Sequence, residues 1–146
     1  MAFAVLAEIG RLLAALAESG ATGSIDVRSL PLTAADRDQL DALLGRGEVR
    51  ATLDLAGPSE VWETTFPGAW WIRHLGADGR VAAEEIAICP VPGILAAHPA
   101  DIRAGAQRLS RQLEQLGQQG VEPVADVGAV RAVGGRSRPT EAKVAR

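Results

Sequence analysis

The sequence has few of the side chains on which metal sites and thiol chemistry depend. It contains one cysteine, Cys89, and two histidines among 146 residues. A single cysteine excludes an internal disulfide and is typical of a protein in a reducing compartment. A structural zinc site needs four Cys or His ligands at close spacing, and this spacing is absent. We therefore expect a cytoplasmic protein with no metal site and no cofactor.

Long apolar runs and an excess of positive charge are also absent. No stretch approaches the roughly 20 apolar residues that span a bilayer. The Ala- and Leu-rich start, Met1–Leu16, differs from a secretory signal because Glu8 and Arg11 interrupt it and no basic residue precedes it. The net charge is −3, whereas binding to duplex nucleic acid needs a basic face. We expect neither a membrane nor a nucleic acid as the partner.

Three segments show the helical spacing of apolar residues. Residues 1–16 carry one apolar stripe, and Gly20 is a suitable helix end. Thr33 is a suitable N-cap for a second helix that ends at Gly45. Pro99 suits the first turn of a long third helix. We predict three amphipathic helices.

Between the second and third helices the apolar period changes from 3.6 to 2. This pattern, with turn residues between the runs, predicts four strands: Glu48–Leu55, Ser59–Phe66, Ala69–Leu75 and Val81–Ile88. Ser24–Leu32 is predicted to be an edge strand or an extended segment that Pro31 closes. The fold class is therefore α+β, with a four-stranded, mainly antiparallel sheet covered by amphipathic helices.

The chain divides by composition into a domain and a tail. Residues 1–120 are long enough to bury a core of their own. Residues 121–146 are rich in Gly, Ala, Val and Arg and have no apolar period. We predict a flexible basic C-terminal tail there.

No catalytic constellation stands out in the sequence, so we expect a protein that is not an enzyme. Neighbouring residues of a strand point to opposite faces, which prevents Glu84 and Glu85 from sharing a site. The spacing of Glu60 and Glu63 separates them in the same way. Gly45-Arg-Gly47 follows a helix rather than a strand and does not match a phosphate-binding loop.

The reactive side chains leave one alternative open. Cys89, His74, His98 and a carboxylate would form a metal or thiol site if the fold gathered them. Separate roles need no such arrangement: Cys89 suits a small buried position at a strand end, and the histidines suit surface or cap positions.

The segment from Trp62 to Trp71 carries the strongest interaction signal. Pro67-Gly68 predict a two-residue turn that pairs Trp62 with Arg73. The side chains then divide between two sheet faces, with Trp62, Phe66, Trp71 and Leu75 on one and Val61, Trp70, Ile72, Glu63 and His74 on the other. Either helices cover both apolar faces, or a partner or a second copy covers one. The enrichment of tryptophan at interaction hot spots favours a partner.

The same region resembles a known family. Ser24–Leu32, Leu44–Val49 and Trp62–Trp71, in this order and spacing, look like the conserved region of hydrogenase expression proteins of the HupH/HyaF type. The resemblance runs from about residue 5 to about residue 117. Its most specific part is Glu63-Thr64, Pro67-Gly68 and the tandem Trp70-Trp71. Ala69 stands where the family is expected to have a larger valine.

The resemblance implies a non-catalytic maturation factor or chaperone for a nickel–iron hydrogenase. Its partner would be a hydrogenase subunit precursor, with the small subunit favoured. The partner-binding residues that the hairpin and the resemblance assign together are Trp62, Glu63, Thr64, Pro67, Gly68, Trp70, Trp71 and Arg73. Typical members are about twice as long and look like two related halves, so we expect this single-unit chain to form a homodimer.

Two other hypotheses stay open beside the chaperone. Cys89 with a histidine would make the chain a metal-handling or thiol-dependent assembly factor in the same pathway. A hairpin that serves only self-association would make it a plain homodimeric scaffold. The chaperone hypothesis predicts an exposed apolar patch around Trp70 or Trp71.

Overall fold

The computed structural model of the chain describes residues 1–54 and 57–120. The predicted tail at residues 121–146 lies outside the described residues, as does Leu55 at the end of the first predicted strand. The division into a domain at residues 1–120 and a tail therefore stays a prediction. The chain separates into two compact units, Met1–Ala97 and a second unit that begins at His98.

The first unit is an α+β structure around a five-stranded antiparallel sheet. Its α-helices are α1 (Ala2–Ser19) and α2 (Ala34–Leu44), and a short 3-10 helix spans Gly93–Leu95. Its strands are β1 (Gly23–Asp26), β2 (Arg50–Asp54), β3 (Pro58–Glu63), β4 (Ala69–Leu75) and β5 (Val81–Ile88). The strand order is β1-β5-β4-β3-β2. The α+β class is confirmed. The predicted number of four strands is wrong, because the segment predicted as an edge strand or extended pairs along β5 as a fifth strand.

The described part of the second unit contains one long helix, α3 (Pro99–Gln118). Pro99 occupies its first position, and the Nδ1 atom of His98 accepts a hydrogen bond from the backbone N–H of Ala100 at 3.2 Å. The predicted start of this helix is confirmed. Within the described residues, no helix is both long and apolar enough to cross a membrane.

The ends of α1 and α2 follow from the residues that the sequence places there. Gly20 ends α1 in the left-handed conformation, with φ of 73°. The Thr33 hydroxyl accepts from the backbone N–H of Asp36 at 3.1 Å, and the Asp36 carboxylate accepts from the backbone N–H of Thr33 at 3.1 Å. The same carboxylate accepts from the backbone N–H of Ala2 at 3.2 Å. Asp36 therefore joins the starts of the two helices.

The sheet has a buried cluster on each face. On the helix-covered face, α1 and α2 pack on a cluster that includes Trp62, Trp71, Ile86 and Ile88. On the opposite face, Val61, Trp70 and Ile72 pack against Leu53, Ala87 and the segment after β5, which contributes Cys89, Ile94 and Leu95. Trp70 is 4% exposed and Trp71 is 2% exposed. The predicted exposed apolar patch around these two residues is therefore wrong, because the chain buries both tryptophans itself.

In the β3–β4 hairpin, the pairing of the two strands is shifted by two residues from the predicted register. Trp62 lies opposite Trp71, and Arg73 lies opposite Glu60 instead of Trp62. The cause is the turn: Thr64–Gly68 form a longer loop, in which the backbone N–H of Thr64 donates to the carbonyl of Ala69 at 2.9 Å. A shift of two residues keeps each side chain on its predicted face. Phe66 is the exception, since it lies in the loop and is exposed.

Candidate functional site

The three segments that carry the family resemblance meet at one groove on the helix-covered face. Arg28 comes from the first segment, Arg46 from the second, and Trp62 and Trp71 from the third. The groove consists of two cavities that share Arg73, a larger one of about 420 Å³ and a smaller one of about 160 Å³. The larger cavity is lined by Arg28, Arg37, Asp41, Trp71, Arg73 and Glu84, among others, and the smaller by Arg46, Arg50, Thr52, Glu60, Trp62 and Arg73.

A stacked pair of tryptophans forms the boundary between the two cavities. The ring centroids of Trp62 and Trp71 lie 5.6 Å apart with 16° between the ring planes. Their stacking follows from the register, because residues directly opposite each other on one face bring their side chains together. The guanidinium carbon of Arg46 lies 4.4 Å from the Trp62 ring centroid, and that of Arg73 lies 5.2 Å from it. Both arginines are within the range of a cation–π interaction.

A buried carboxylate organises the larger cavity. Glu84 is 6% exposed and accepts hydrogen bonds from Trp71 Nε1 at 3.0 Å, Arg73 Nε at 2.9 Å and Arg37 Nη1 at 2.9 Å. A carboxylate this far from water is stable only when cations and donors surround it. Glu85, its neighbour, opposes Ile72 on the other face, as the alternation of a strand predicts.

Two glycines explain how Arg46 reaches Trp62. The backbone N–H of Gly47 donates to the carbonyl of Glu63 at 2.8 Å. A Cβ atom at Gly47 would lie 2.5 Å from the carbonyl oxygen of Thr64, and Gly45 has φ of 62°. Gly45-Arg-Gly47 therefore serves a close backbone approach to the hairpin loop. This approach holds Arg46 above the Trp62 ring.

Only part of the predicted partner-binding set lines the groove: Trp62, Trp71 and Arg73. Trp70 points to the opposite face, where its Nε1 donates to the carbonyl of Cys89 at 3.1 Å. The others, Glu63, Thr64, Pro67 and Gly68, build the end of the hairpin. Gly68, for example, has φ of 89°, and its carbonyl accepts from the backbone N–H of Cys89 at 2.9 Å.

Sequence reasoning missed Arg28, Arg37, Arg46, Arg50 and Glu84 as groove residues. One signal was present in the alternation of β5, because Glu84 shares a face with the apolar Ile86 and Ile88. A charged residue in such a position indicates a buried partner. Arg28 and Arg46 lie within segments that carry the family resemblance. No comparable signal marked Arg37 and Arg50, since their positions in the groove depend on contacts between separate elements.

The structure gives the histidines and Cys89 separate surroundings. Nδ1 of His74 lies 2.8 Å from Oγ of Ser59, and His98 caps α3. Burial raises the pKa of the half-buried Cys89 thiol, and the charge of Glu85 raises it further. Across residues 1–54 and 57–120, no group of three or more His, Cys, Asp or Glu side chains is arranged to hold a metal ion.

Comparison with known proteins defines the class of this chain. The model of the family described as HupH hydrogenase expression protein, C-terminal conserved region, matches residues 1–116. The chain therefore belongs to the family of HupH hydrogenase expression proteins, and the resemblance found in the sequence is confirmed.

Individual relatives agree with this assignment. A solved structure of the hydrogenase expression protein HupH from Thiobacillus denitrificans superposes with a TM-score of 0.76 at 40% identity, covering 79% of this chain and 96% of that one. The hydrogenase-1 operon protein HyaF of Escherichia coli is 32% identical, and the hydrogenase expression/formation protein HoxQ of Azotobacter vinelandii 26% identical, each over 64% of this chain. The chain spans about a third of the length of these two curated relatives.

Proposed function

We propose that this chain is a non-catalytic maturation factor that binds a nickel–iron hydrogenase subunit precursor, with the small subunit as the favoured client. The observation that carries the proposal is the convergence of the three family segments on one groove. Membership in a family of hydrogenase expression proteins supplies the pathway. We further propose that binding takes place in the cytoplasm, which suits a chain with a single free cysteine.

The residues of the groove support polypeptide binding more than chemistry. Arginine and tryptophan are the residues most enriched at hot spots of protein interfaces. Two acidic side chains of the groove are partners of its arginines: Glu84 binds Arg37 and Arg73, and Asp41 binds Arg46 at 2.8 Å. Carboxylates held in this way orient the guanidinium groups that a client would meet.

The test is direct binding between the purified chain and a defined precursor. The tagged chain is co-expressed with the small-subunit precursor of a nickel–iron hydrogenase, and in a second culture with the large subunit. The recovered complex is quantified with an antibody against each subunit. We expect the small-subunit precursor to be retained, and retention of neither subunit would contradict the proposal.

A matched pair of variants connects binding to the groove. Arg46 and Arg11 each form one ion pair on the surface of the same unit, Arg46 with Asp41 and Arg11 with Glu8. Only Arg46 lines the groove. We expect Arg46→Ala to weaken precursor retention about tenfold, as for an interface residue that makes a moderate contribution to the binding energy. The Arg11→Ala variant should retain the precursor as well as the wild type does. Equal retention by both variants would place the client elsewhere on the chain.

A further inference from the structure

The smaller cavity of the groove presents more hydrogen-bond donors than acceptors. Three guanidinium groups line it, those of Arg46, Arg50 and Arg73, against the single carboxylate of Glu60. Arg46 and Arg73 each donate to a carboxylate of the chain, but a guanidinium carries five N–H groups and has donors to spare. Arg50 is exposed and forms no ion pair with any residue that the structure describes.

Trp62 adds a donor that no described residue satisfies. Its side chain is 4% exposed, and its Nε1 atom has no hydrogen-bond partner within the described part of the chain. The other two tryptophans differ, because Trp70 donates to the carbonyl of Cys89 and Trp71 to the carboxylate of Glu84. Native proteins leave few buried donors unpaired, so each one calls for an explanation. A ligand with an acceptor oxygen would supply such a partner.

An acceptor does not reach the nitrogen of Trp62 without a rearrangement of the surrounding side chains. The indole nitrogen is enclosed, so a neighbouring side chain has to shift. The side chain of Arg46 is 37% exposed, and its guanidinium lies over the face of the Trp62 ring. An incoming anion would compete with Asp41 for the Arg46 guanidinium.

We propose that the smaller cavity binds a side-chain carboxylate from an acidic segment of the client polypeptide, an inference that rests on the function proposed above. The two oxygens of a carboxylate match the paired N–H groups of a guanidinium. Arg50 and Arg46 bind these oxygens from the rim, and Trp62 Nε1 donates to one of them after the neighbouring side chains have shifted. The adjoining larger cavity accommodates the residues that flank the carboxylate.

The test uses short overlapping peptides that cover the small-subunit precursor, with the labelled full-length chain as the probe. Each acidic peptide is paired with a version that has Asn for Asp and Gln for Glu. We expect the retained peptides to be acidic and their amide versions to bind at least about tenfold more weakly, since hydrogen bonds to charged groups are the strong ones. A higher salt concentration should weaken the binding of the retained peptides, because salt screens charge interactions. Equal binding of acidic and amide versions would overturn the inference.

Variants locate the carboxylate in the cavity. Arg50→Gln should lose about tenfold in affinity for the acidic peptides, and Trp62→Phe, which lacks the indole N–H, several-fold. Arg11→Gln, outside the groove, should bind like the wild type. Thermal unfolding of each variant confirms that it is folded. Wild-type binding by Arg50→Gln would contradict the assignment even if the other variant were destabilised.

The whole precursor, measured in the same assay, separates the two proposals. If the precursor binds and no peptide depends on its carboxylates, the inference fails and the proposed function stands. If neither the precursor nor any peptide binds, the proposed function fails and the inference fails with it.

Discussion

At the scale of single residues, Glu84 determines how the polar half of the helix-covered face is organised. It lies on the same side of β5 as Ile86 and Ile88, and it ties Trp71, Arg37 and Arg73 to one carboxylate. Removing one member of a buried ion pair leaves the remaining charges without a partner. The resulting loss of stability is larger than the stability that the intact pair contributes. Glu84 is thus a structural requirement for the groove.

We predict that Glu84→Gln lowers the free energy of unfolding by about 2 kcal/mol, below the ~3–5 kcal/mol of fully buried pairs because the arginines are partly solvated. Glu85→Gln is the control, since Glu85 is on the other face and makes no ion pair with the described residues; it should change stability by less than about 0.5 kcal/mol. Urea unfolding measures both. Similar effects of the two variants would contradict the role of Glu84.

Cys89 gives a second prediction at this scale. Because burial and Glu85 raise the pKa of its thiol, little thiolate exists near neutral pH, and the thiolate is the reactive form. We expect iodoacetamide at pH ~7.5 to alkylate the folded chain at least about tenfold more slowly than the chain unfolded in urea. Free glutathione in the same urea solution corrects for the solvent. Equal rates in both states would revive the thiol-dependent hypothesis.

At the scale of elements, the loop between α2 and β2 shows why two glycines flank Arg46. Gly47 approaches the backbone of Thr64 too closely for any side chain. At Gly10, in the middle of α1, a Cβ atom would have no described atom within 4 Å apart from the neighbouring residues and the backbone of its own helix. The same substitution therefore has opposite consequences at the two positions.

Gly47→Ala should destabilise the chain by about 1–3 kcal/mol, the range of overpacked sites. Gly10→Ala should stabilise it by about 0.5–1 kcal/mol, because alanine is the better helix former. Thermal unfolding of the two variants beside the wild type measures the difference. A neutral Gly47→Ala would mean that the loop does not depend on the close approach.

The joined starts of α1 and α2 predict a dependence on pH. Hydrogen bonds from the Thr33 hydroxyl, the terminal ammonium group and the backbone N–H groups of Thr33 and Ala2 hold the pKa of Asp36 well below its usual range. The unfolded chain binds a proton at this carboxylate near pH ~4, while the folded chain keeps it ionised. Its contribution to stability is therefore complete above pH ~4 and is lost as the pH falls further.

We expect Asp36→Asn to remove this part of the acid sensitivity. Between pH ~5 and pH ~2.5 the melting temperature of the wild type should fall more steeply than that of Asp36→Asn. Asp38→Asn, in the same helix but without these contacts, should follow the wild-type curve. Parallel curves for the wild type and Asp36→Asn would contradict the assignment.

At the scale of the whole molecule, the edges of the sheet bear on the homodimer that the sequence suggested. Both faces of the sheet carry buried clusters, and the sheet ends at the edge strands β1 and β2, whose unpaired backbone groups can pair with another chain. The carbonyl of Val49 accepts from the backbone N–H of Glu63, and hydrogen-bonded pairs alternate along an antiparallel ladder. The N–H of Thr52 consequently points to the open edge of β2.

We propose a homodimer that pairs through this edge, with twice the 15.2 kDa mass of the chain. Thr52→Pro removes the outward N–H without touching the bonds to β3 and should shift the dimer to monomer, whereas Thr52→Ala keeps the N–H and should stay dimeric. Sedimentation velocity distinguishes the two masses. A dimer unaffected by Thr52→Pro would use another surface, and a dimer that binds no precursor would favour the plain scaffold.

The local features of this protein were determined by its sequence. The change of period from 3.6 to 2 places the helices and strands, and it predicts Ala69–Leu75 and Val81–Ile88 with the bounds that the structure shows. Thr33, Gly20 and Pro99 mark helix ends because caps act within one turn. The face of each strand residue is also local, since alternation along a strand does not depend on its neighbours.

Only the tertiary structure decided the register of the hairpin, the fifth strand and the groove. The register follows from hydrogen bonds within the loop Thr64–Gly68 and from the Trp62–Trp71 contact across strands. Neither of these can be read from the spacing of apolar residues in the sequence. Arg37, Arg46 and Glu84 come from three separate elements and meet only when the sheet and α2 pack together. A pattern along the chain reports which way a side chain points, whereas the partner it meets depends on long-range packing.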